Sequence, residues 1–329
     1  MRNDGNFQPK KVVITGALGF IGSHVLDYFH EAYDQAEFVI VDKITYAADV
    51  RNSMQLQSND PRVRLEASDI CDLEKMTSVL KDCDLLLHLA AESHVSRSFN
   101  NSFVFTRSNT LGTHSILEAA RRSETPRLIH VSTDEVYGEL AEGKFCEDAN
   151  FNPTNPYSAS KAGAEMLVKS YFYSFGVPVK VVRANNIFGT RQFPEKIIPR
   201  FILRALQNAP LTLHGDGSNR RHYLSATDFA KALHAVIEKG EVGEAYNVAS
   251  TQEFTNREIA NRIIKVATSS SEIVYVEDRP FNDARYAIDD SKLRALGWAE
   301  NDSLTLALPL LVKWYEENRN RWPEETYLS

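Results

Sequence analysis

Short apolar runs alternate with longer amphipathic stretches through the first half of the chain. The runs are rich in Val, Ile and Leu, which is typical of strands buried on both faces of a parallel sheet. Strands are predicted at residues 11–14, 38–41, 62–66, 85–89, 128–132 and 179–184. The helical spacing of apolar positions predicts helices at 22–33, 73–81, 103–122 and 156–174. This alternation predicts an α/β fold with a doubly wound parallel sheet.

The second half of the chain is less regular. Residues 208–211 and 214–218 have the composition of loops, while a helix is predicted at 256–266, a strand at 272–276 and a last helix at 304–318. We expect residues 1–189 to form the large domain, with 220–250 returning to it. Residues 190–219 and 251–329 are expected to form a smaller C-terminal α/β lobe that binds the substrate. The cleft between the two parts is the expected ligand site.

Composition and charge narrow the classes of function. The 329 residues are 43% hydrophobic and 25% charged, with 37 Lys and Arg against 44 Asp and Glu. The net charge of −7 argues against a protein that binds nucleic acid. The three cysteines lack the spacing of a metal site or a disulfide framework, so we expect free thiols and no metal. The polar start and the lack of a long apolar run predict a cytoplasmic protein without a membrane segment.

Three glycines follow the first predicted strand. Gly16, Gly19 and Gly22 have GxxGxxG spacing at the start of the first predicted helix. Glycine allows a tight turn and a close approach of the backbone to a pyrophosphate, and the helix N-terminus favours the negative charge of that group. The pattern is typical of the dinucleotide-binding turn of a Rossmann sheet.

An acidic residue indicates which dinucleotide is bound. Asp42 comes 20 residues after Gly22 and ends the second strand, where a carboxylate accepts hydrogen bonds from the adenosine ribose. Such a carboxylate repels a 2′-phosphate, so NAD is favoured. The adjacent Lys43, which is also expected to contact the cofactor, leaves NADP as an alternative. Further cofactor contacts are expected where the third and fourth strands end, at Asp69, Ile70, Leu89, Ala90 and Ala91.

Tyr157 and Lys161 are predicted to form a catalytic pair. They are four residues apart, which places both side chains on one face of a helix. The Lys161 ammonium and a nicotinamide cation favour the phenolate and are expected to lower the pKa of Tyr157, so that it can act as a base. Lys161 can also hold the nicotinamide ribose. Taken alone, such a pair is also compatible with an ordinary helix surface. The upstream glycine turn favours the catalytic interpretation.

The fifth strand is followed by Thr133, Asp134 and Glu135. Adjacent side chains of a regular strand diverge, so both carboxylates can face one substrate only if the chain bends there. One carboxylic acid can protonate a leaving hydroxyl while one carboxylate removes a proton from carbon. Simple hydride transfer needs neither group, so the pair indicates an elimination. The alternative is a solvated acidic loop.

Six motifs are similar to those of a known family. They begin at Leu89, Ser132, Asn152, Asn185, Phe193 and Arg279, and read LAAESH, STDEVYG, NPTNPYS, NN, FPEKIIP and RPFNDARY. With these, the chain resembles the extended short-chain dehydrogenase/reductase family over roughly residues 10–322. Within that family it is most similar to the nucleotide-sugar 4,6-dehydratases, including the dTDP-glucose enzymes and the UDP-glucose modules of rhamnose synthesis.

The resemblance implies a reaction with NAD as a regenerated cofactor. Tyr157 takes the proton of the sugar 4-hydroxyl, with Thr133 bonded to that oxygen, while NAD takes the C4 hydride. Glu135 then removes the C5 proton as Asp134 protonates the departing C6 hydroxyl. The hydride returns to C6, which yields a 4-keto-6-deoxy sugar nucleotide.

The resemblance also implies further binding residues. For NAD, it implies Phe20, Ile21, Thr45, Ser93, Ser108 and Asn186. For the nucleotide-diphosphate glucose, it implies Ser93, His94, Thr133, Asn185, Lys196, Ile197, Thr212, His214, Arg221, Asn247, Arg285 and Tyr286. The sequence departs from the family pattern at Ser96, His222, Ser225, Phe281, Asn282 and Ala284, which affects nucleobase choice and affinity more than the reaction.

Two helices also predict self-association. The helices predicted at 103–122 and 156–174 carry apolar side chains on more than one face, so a partner subunit is expected to cover part of that apolar surface. The resemblance implies a homodimer built through a four-helix bundle. Two alternatives to the dehydratase stay open, namely a sugar-nucleotide 4-epimerase or decarboxylase on the same fold, and a non-catalytic NAD-binding regulator.

Overall fold

The computed structural model describes residues 7–278 and 283–328. The strands are β1 (Lys11–Thr15), β2 (Glu37–Asp42), β3 (Val63–Ala67), β4 (Leu85–His88), β5 (Leu128–Thr133), β6 (Val179–Ala184), β7 (Asn186–Phe188), β8 (Leu211–His214), β9 (Arg220–Ser225), β10 (Ala245–Val248), β11 (Glu253–Thr255) and β12 (Ile273–Val276). The α-helices are α1 (Phe20–Ala32), α2 (Arg51–Asn59), α3 (Leu73–Leu80), α4 (Val95–Asn100), α5 (Ser102–Phe105), α6 (Gly112–Arg122), α7 (Pro156–Phe175), α8 (Ile197–Ala205), α9 (Ala226–Lys239), α10 (Asn256–Val266), α11 (Ser291–Arg294), α12 (Leu304–Glu317) and α13 (Glu325–Leu328).

Seven parallel strands form the central sheet. Their order is β10-β6-β5-β4-β1-β2-β3, so the chain reverses direction across the sheet between β1 and β4. The first six strands lie within one residue of their predicted bounds, and the predicted doubly wound α/β fold is confirmed. Apolar side chains cover both faces of the sheet, and helices pack against them. Ligands bind at the carboxyl ends of such strands, next to the reversal.

The single helix predicted at 103–122 is interrupted. α5 is followed by a π-helical segment, Thr106–Leu111, before α6 begins at Gly112. Inside this segment, Asn109 accepts a hydrogen bond from the backbone N–H of Glu92 at 2.8 Å and donates to the Glu92 carbonyl at 3.0 Å. It also donates to Ser160 Oγ at 2.8 Å. The wider turn therefore directs a buried polar side chain toward the loop after β4. Such π-bulges often occur at functional sites.

A second apolar core lies outside the central sheet. It is enclosed by α8, α10 and α12 and includes Phe201, Ile202, Ile263 and Tyr315. Two small sheets accompany it, β11-β9-β7 and β12-β8. The prediction of a loop through Leu211 is wrong, because Leu211 is buried and begins β8, which pairs in parallel with β12. Apolar and polar residues do alternate from Leu211 to His214, but the Asn-Ala-Pro before this strand is typical of a loop and obscures where the strand begins.

Within the described residues, no helix is long and apolar enough to span a membrane. The same part of the chain holds no cluster of three metal-ligating side chains. Cys71, Cys83 and Cys146 are free thiols.

Candidate active site

A cavity of about 460 Å³ lies at the carboxyl ends of the central strands. Gly16, Leu89, Thr133 and Ala184 line it from four of these strands or the turns after them, and Phe201 lines it from the second core. All the predicted site residues line this cavity except Asp134, Asn247 and Arg285. Sequence positions as far apart as residues 16 and 286 therefore meet in one space.

The turn after β1 requires glycine at two positions. Gly16 has φ +75°, and a Cβ there would lie 2.8 Å from Ala90 Cα. A Cβ on Gly22 would overlap the carbonyl oxygen of Gly16. This close packing places the N-terminus of α1 at the cavity, where its free N–H groups can bind an anion.

A buried hydrogen-bonded chain holds the end of β4 against this turn. Thr15 Oγ1 accepts hydrogen bonds from the N–H groups of Leu89 and Ala90, both at 3.2 Å. Its hydroxyl is 2.8 Å from His88 Nδ1, and His88 Nε2 is 3.0 Å from Thr113 Oγ1. Burial lowers the pKa of His88 to about 3, so the ring is neutral and structural. The cavity wall formed by Leu89 and Ala90 is thus fixed.

Asp42 lies at the cavity, where its carboxylate is held by the backbone. Its oxygens accept hydrogen bonds from the N–H groups of Leu18 at 3.0 Å and Ile44 at 2.9 Å. Burial raises the pKa of Asp42, and these hydrogen bonds oppose that effect. The ammonium of Lys43 is 2.8 Å from the carboxylate of Asp69, so its charge is already paired. This wall favours a ribose with free hydroxyls over one carrying a phosphate.

Tyr157 and Lys161 project from α7 into the cavity. The helix begins with a capping box between Asn155 and Ser158, which fixes the start of the helix one residue before Tyr157. Lys161 Nζ donates to the carbonyl of Val131 on β5 at 2.7 Å. Burial lowers the pKa of Lys161 to about 8.

In the protein alone the pKa of Tyr157 lies above its ordinary value, so the lowering expected with a nicotinamide cation stays a prediction. Burial raises this pKa, and the carboxylates of Glu135 and Asp134 raise it further, while a hydrogen bond with Thr133 opposes them. Helix spacing shows that Tyr157 and Lys161 share a face. It does not show that the amine is bonded to a strand carbonyl or that two carboxylates face the phenol.

The chain bends after β5, as the acidic pair requires. Residues Asp134–Tyr137 form a 3-10 turn, and Thr133 Oγ1 accepts a hydrogen bond from the N–H of Glu135 at 3.3 Å. Glu135 lines the cavity and accepts a hydrogen bond from Asn155 Nδ2 at 3.3 Å. Asp134 lies just behind the lining, where its Oδ2 accepts from Asn185 Nδ2 at 2.7 Å.

The two carboxyl groups are electrostatically different. Burial, and then the charge of Glu135, raise the pKa of Asp134 to about 7. Burial also raises the pKa of Glu135, but the cations Lys196 and Arg221 oppose that rise. Burial and the mutual repulsion of the two charges favour a single proton on the pair. One group is available as an acid and the other as a base.

Two cations reach the cavity from outside the central sheet, Lys196 at the start of α8 and Arg221 on β9. Lys196 Nζ donates to the carbonyl of Ser93 at 2.8 Å. The guanidinium of Arg221 lies 4.6 Å from the ring centre of Tyr286 and donates to the carbonyl of Asp283 at 2.9 Å. A fixed guanidinium of this kind is suited to phosphate oxygens.

Two residues expected to surround a diphosphate point elsewhere. Asn247 is fully buried, accepts a hydrogen bond from the hydroxyl of Tyr137 at 2.9 Å and donates to the Phe145 carbonyl at 3.1 Å. Arg285 donates to Glu253 at 2.6 Å through Nε. The register of β10 turns Asn247 away from the cavity, and the ion pair with Glu253 holds Arg285 away from it. Sequence motifs record neither effect. Phe281 and Asn282 lie outside the described residues.

Sequence reasoning gave no role to Glu195, which lines the cavity next to Lys196. Its carboxylate accepts a hydrogen bond from the Tyr46 hydroxyl at 3.1 Å, and burial raises its pKa. The guanidinium of Arg97 lies 3.5 Å from the centre of the Tyr46 ring. The signal was present, because Glu195 is the acid within the FPEKIIP motif. Asn256, Gln192 and Arg200 also line the cavity without having been predicted.

The fold and the site define an extended short-chain dehydrogenase/reductase. A family model described as GDP-mannose 4,6 dehydratase matches residues 13–307, and the chain belongs to this family. The family resemblance seen in the sequence is thereby confirmed.

Among curated relatives, the chain is 45% identical over 324 residues to a trifunctional UDP-glucose 4,6-dehydratase/UDP-4-keto-6-deoxy-D-glucose 3,5-epimerase/UDP-4-keto-L-rhamnose-reductase of Arabidopsis thaliana. That match covers 96% of this chain and 49% of the plant protein, so the chain spans about half of that relative's length. It is 37% identical to the dTDP-D-glucose 4,6-dehydratase of Homo sapiens over 322 residues, or 95% of this chain and 92% of the human protein.

Two solved structures share this fold but are named for different reactions. A dTDP-glucose 4,6-dehydratase of Streptomyces venezuelae with NAD bound has a TM-score of 0.91 and 36% identity, covering 96% of this chain and 99% of that one. A UDP-glucose 4-epimerase of Thermotoga maritima has a TM-score of 0.86 and 26% identity, covering 94% and 99%. The backbone alone therefore does not separate dehydratase from epimerase, and the side chains of the site must do so.

Proposed function

We propose that this protein is an NAD-dependent nucleotide-sugar 4,6-dehydratase, a hydro-lyase that converts UDP-glucose or dTDP-glucose to the 4-keto-6-deoxy-glucose nucleotide. The observation that carries the proposal is the carboxyl pair beside Tyr157, with Glu135 at the cavity and bonded to Asn155, and Asp134 directly behind it and bonded to Asn185. A 4-epimerase needs one acid/base group at C4 and has no use for a second acid/base pair.

The first part of the cavity fits NAD. The glycine cradle at Gly16 and Gly22, which a Cβ would fill, suits a pyrophosphate, and Asp42 suits the adenosine ribose. Lys161 is placed to hold the nicotinamide ribose, and Leu89 and Ala90 form the wall along the dinucleotide. When bound there, NAD would supply a reversible hydride acceptor for the sugar.

In the oxidation half of the reaction, Tyr157 accepts the proton of the sugar 4-hydroxyl. Thr133 lies at the same wall and orients that oxygen. Because burial, and then the charges of Glu135 and Asp134, raise the pKa of Tyr157, positive charge near the phenol is needed to favour the phenolate. The Lys161 ammonium is one source of that charge, and the nicotinamide is the other.

In the elimination half, Glu135 removes the proton at C5, which the 4-keto group has made acidic. Asp134 supplies the proton to the departing C6 hydroxyl, water leaves, and the proton held by Glu135 returns to C5 when hydride is added at C6. Asp134 Oδ1 is 3.3 Å from the hydroxyl of Thr133, which connects the buried acid to the cavity wall. Arg221 and Lys196 are placed to bind the diphosphate, whose charge they complement.

The test is to incubate the purified protein with UDP-glucose, dTDP-glucose or UDP-galactose. A 4-keto product from a glucose nucleotide, identified by its absorbance in alkali and by mass spectrometry as a loss of water, supports the proposal. Interconversion of UDP-glucose and UDP-galactose would instead identify an epimerase. Bound NAD with no turnover of any nucleotide sugar would identify a regulator. Comparing kcat/KM for the two glucose donors identifies the nucleobase preferred.

We also infer a homodimer in the cytoplasm, with a product that serves deoxysugar synthesis such as that of rhamnose. Apolar side chains are exposed on α5, α7 and the π-helical segment, including Phe103 at 85%, Leu111 at 50% and Met166 at 51%. A face of this kind is expected to pair with its copy in a four-helix bundle. Three free thiols fit a reducing compartment.

A further inference from the structure

A buried arginine ties the helix of Tyr157 to the centre of the sheet. Arg183 lies on β6 and is 6% exposed. Its Nε donates to the two carboxylate oxygens of Glu165 at 3.2 and 3.0 Å, and its Nη2 donates to Glu165 Oε2 at 2.8 Å. Glu165 lies four residues after Lys161, on the next turn of α7. This ion pair therefore holds the helix that carries both Tyr157 and Lys161.

The same guanidinium also holds the turn that carries the carboxyl pair. Its Nη1 donates to the hydroxyl of Tyr137 and, at 2.9 Å, to the carbonyl of Glu147. Tyr137 is the last residue of the 3-10 turn, and its hydroxyl donates to Asn247 Oδ1 at 2.9 Å. One side chain thus connects α7, β6 and the turn after β5.

This network does not contact the cavity. Arg183, Glu165, Tyr137 and Asn247 are all at most 6% exposed, and none of them lines the cavity. Burying an ion pair is costly unless its hydrogen bonds are satisfied, and this pair gains little that a well-packed apolar pair would not also provide. Its distinctive property is geometric, because a planar guanidinium with several donors fixes three elements in one arrangement.

The proposed reaction needs such an arrangement. Tyr157 acts at C4, while Glu135 and Asp134 act at C5 and C6 of the same sugar ring. The first group lies on α7 and the other two on the 3-10 turn. A relative displacement of about 1 Å is enough to cost on the order of 100-fold in rate.

We propose that Arg183, acting through Glu165 and Tyr137, is a positioning residue that sets the distance between the oxidising and the eliminating groups of the site. This inference rests on the proposed function. It gives Asn247 a place in the supporting network in place of the substrate contact expected from sequence. It predicts that the network matters more for elimination after C4 oxidation than for oxidation itself, because oxidation uses groups of α7 and β5 alone.

The test measures the two halves separately in single turnovers of the NAD-loaded enzyme with the glucose nucleotide that the wild type prefers. Reduced nicotinamide, followed by its near-ultraviolet absorbance, reports oxidation as it rises and elimination as it decays. Tyr137→Phe removes one hydroxyl and keeps the ring stacked on Phe145. Arg183→Lys keeps the charge but cannot bridge both partners. For each variant we expect the decay to slow about 10-fold or more, while the rise stays within about twofold.

Tyr327→Phe is the matched control, because Tyr327 is a buried tyrosine of the second core whose hydroxyl accepts a hydrogen bond from Gln207. A purely structural role would lower the amplitudes with the folded fraction and leave the ratio of the two rates at the wild-type value. That result in either network variant would overturn the inference, even if overall activity fell. If the wild type forms no 4-keto product from either donor, the proposed function is wrong, and the positioning role falls with it.

Discussion

Asp134 and Glu135 are neighbours in the chain, yet their carboxyl groups face different surroundings. Asp134 is buried behind the cavity wall and accepts a hydrogen bond from Asn185, whereas Glu135 lines the cavity and accepts one from Asn155. The 3-10 turn that begins at Asp134 produces this divergence. Because Glu135 lines the cavity and Asp134 lies directly behind its wall, next to Thr133, the pair can supply a base and an acid to one substrate.

Glu135→Gln should separate oxidation from elimination. The amide cannot remove the C5 proton, so overall turnover should fall on the order of 100-fold or more, while C4 oxidation continues. Reduced nicotinamide should then accumulate after substrate is added, and the C5 proton should no longer exchange with deuterated solvent. Glu142→Gln, at an exposed position of the loop after the turn, is the control. Normal turnover of Glu135→Gln would show that another group is the base.

Tyr157→Phe should stop the reaction one step earlier. Without the phenol, nothing accepts the 4-hydroxyl proton, so the substrate should not reduce the nicotinamide at all. Stopped-flow absorbance distinguishes this result from that of Glu135→Gln. Tyr171→Phe, on the same helix but outside the cavity lining, should react like the wild type. Rapid reduction in Tyr157→Phe would exclude the assigned role.

Asp134→Asn should change how stability depends on pH. The pKa of Asp134 is about 7 in the folded protein, above its usual value of 3.8, so the folded state binds the extra proton between these limits. The extra proton therefore stabilises the folded wild type below about pH 4, and this stabilisation is lost as the pH rises toward 7. The uncharged Asn avoids that loss and still accepts the Asn185 hydrogen bond.

The free energy of unfolding of Asp134→Asn, relative to the wild type, should therefore rise between pH 4 and 7 by at most about 1.4 kcal/mol per pH unit and stay level above 7. Urea titrations at pH 5, about 6.5 and 8 measure it. Glu135→Gln should reduce the effect, because the charge of Glu135 contributes to the raised pKa. A difference that does not vary with pH would mean that Asp134 is ionised throughout.

Gly22→Ala should weaken NAD binding. The added Cβ overlaps the Gly16 carbonyl, so the turn must open where the pyrophosphate is expected. We expect the dissociation constant of NAD, measured by calorimetry on the apoprotein, to rise about 10-fold or more. Gly163→Ala is the control, because a Cβ there makes an ordinary contact of 3.5 Å with Thr110. Equal affinities in the two variants would place the dinucleotide elsewhere.

Phe103→Glu should shift the protein from dimer to monomer. A charge at this exposed apolar position would have to be buried in the proposed bundle, which is unfavourable without a partner. Light scattering after size-exclusion chromatography measures the mass. Leu306→Glu, at an equally exposed apolar position on α12, should leave the dimer intact. A dimer that survives Phe103→Glu but not Leu306→Glu would move the interface to α12.

Six strands of the central sheet were predictable, because strands buried on both faces form apolar runs that are visible in a single sequence. The seventh strand, β10, and the outer strands β8 and β9 were not predicted, since polar residues interrupt their apolar positions. The residues of the expected site could also be predicted, because they lie in compact motifs next to strand ends. Glu195 was overlooked although it lies in such a motif, because only its hydrogen bond to Tyr46 places it in the cavity.

The sequence by itself determined which chemical groups are present and, through the order of strands and helices, the edge of the sheet at which they gather. Tertiary structure alone decided the direction of each side chain and its electrostatic surroundings. It turned Asn247 toward Tyr137 and Arg285 toward Glu253, and it buried Tyr157 beside Glu135, which raises the pKa of that phenol in the protein alone. The reason is physical, because burial, strand register and the field of neighbouring charges depend on residues that are distant in the chain.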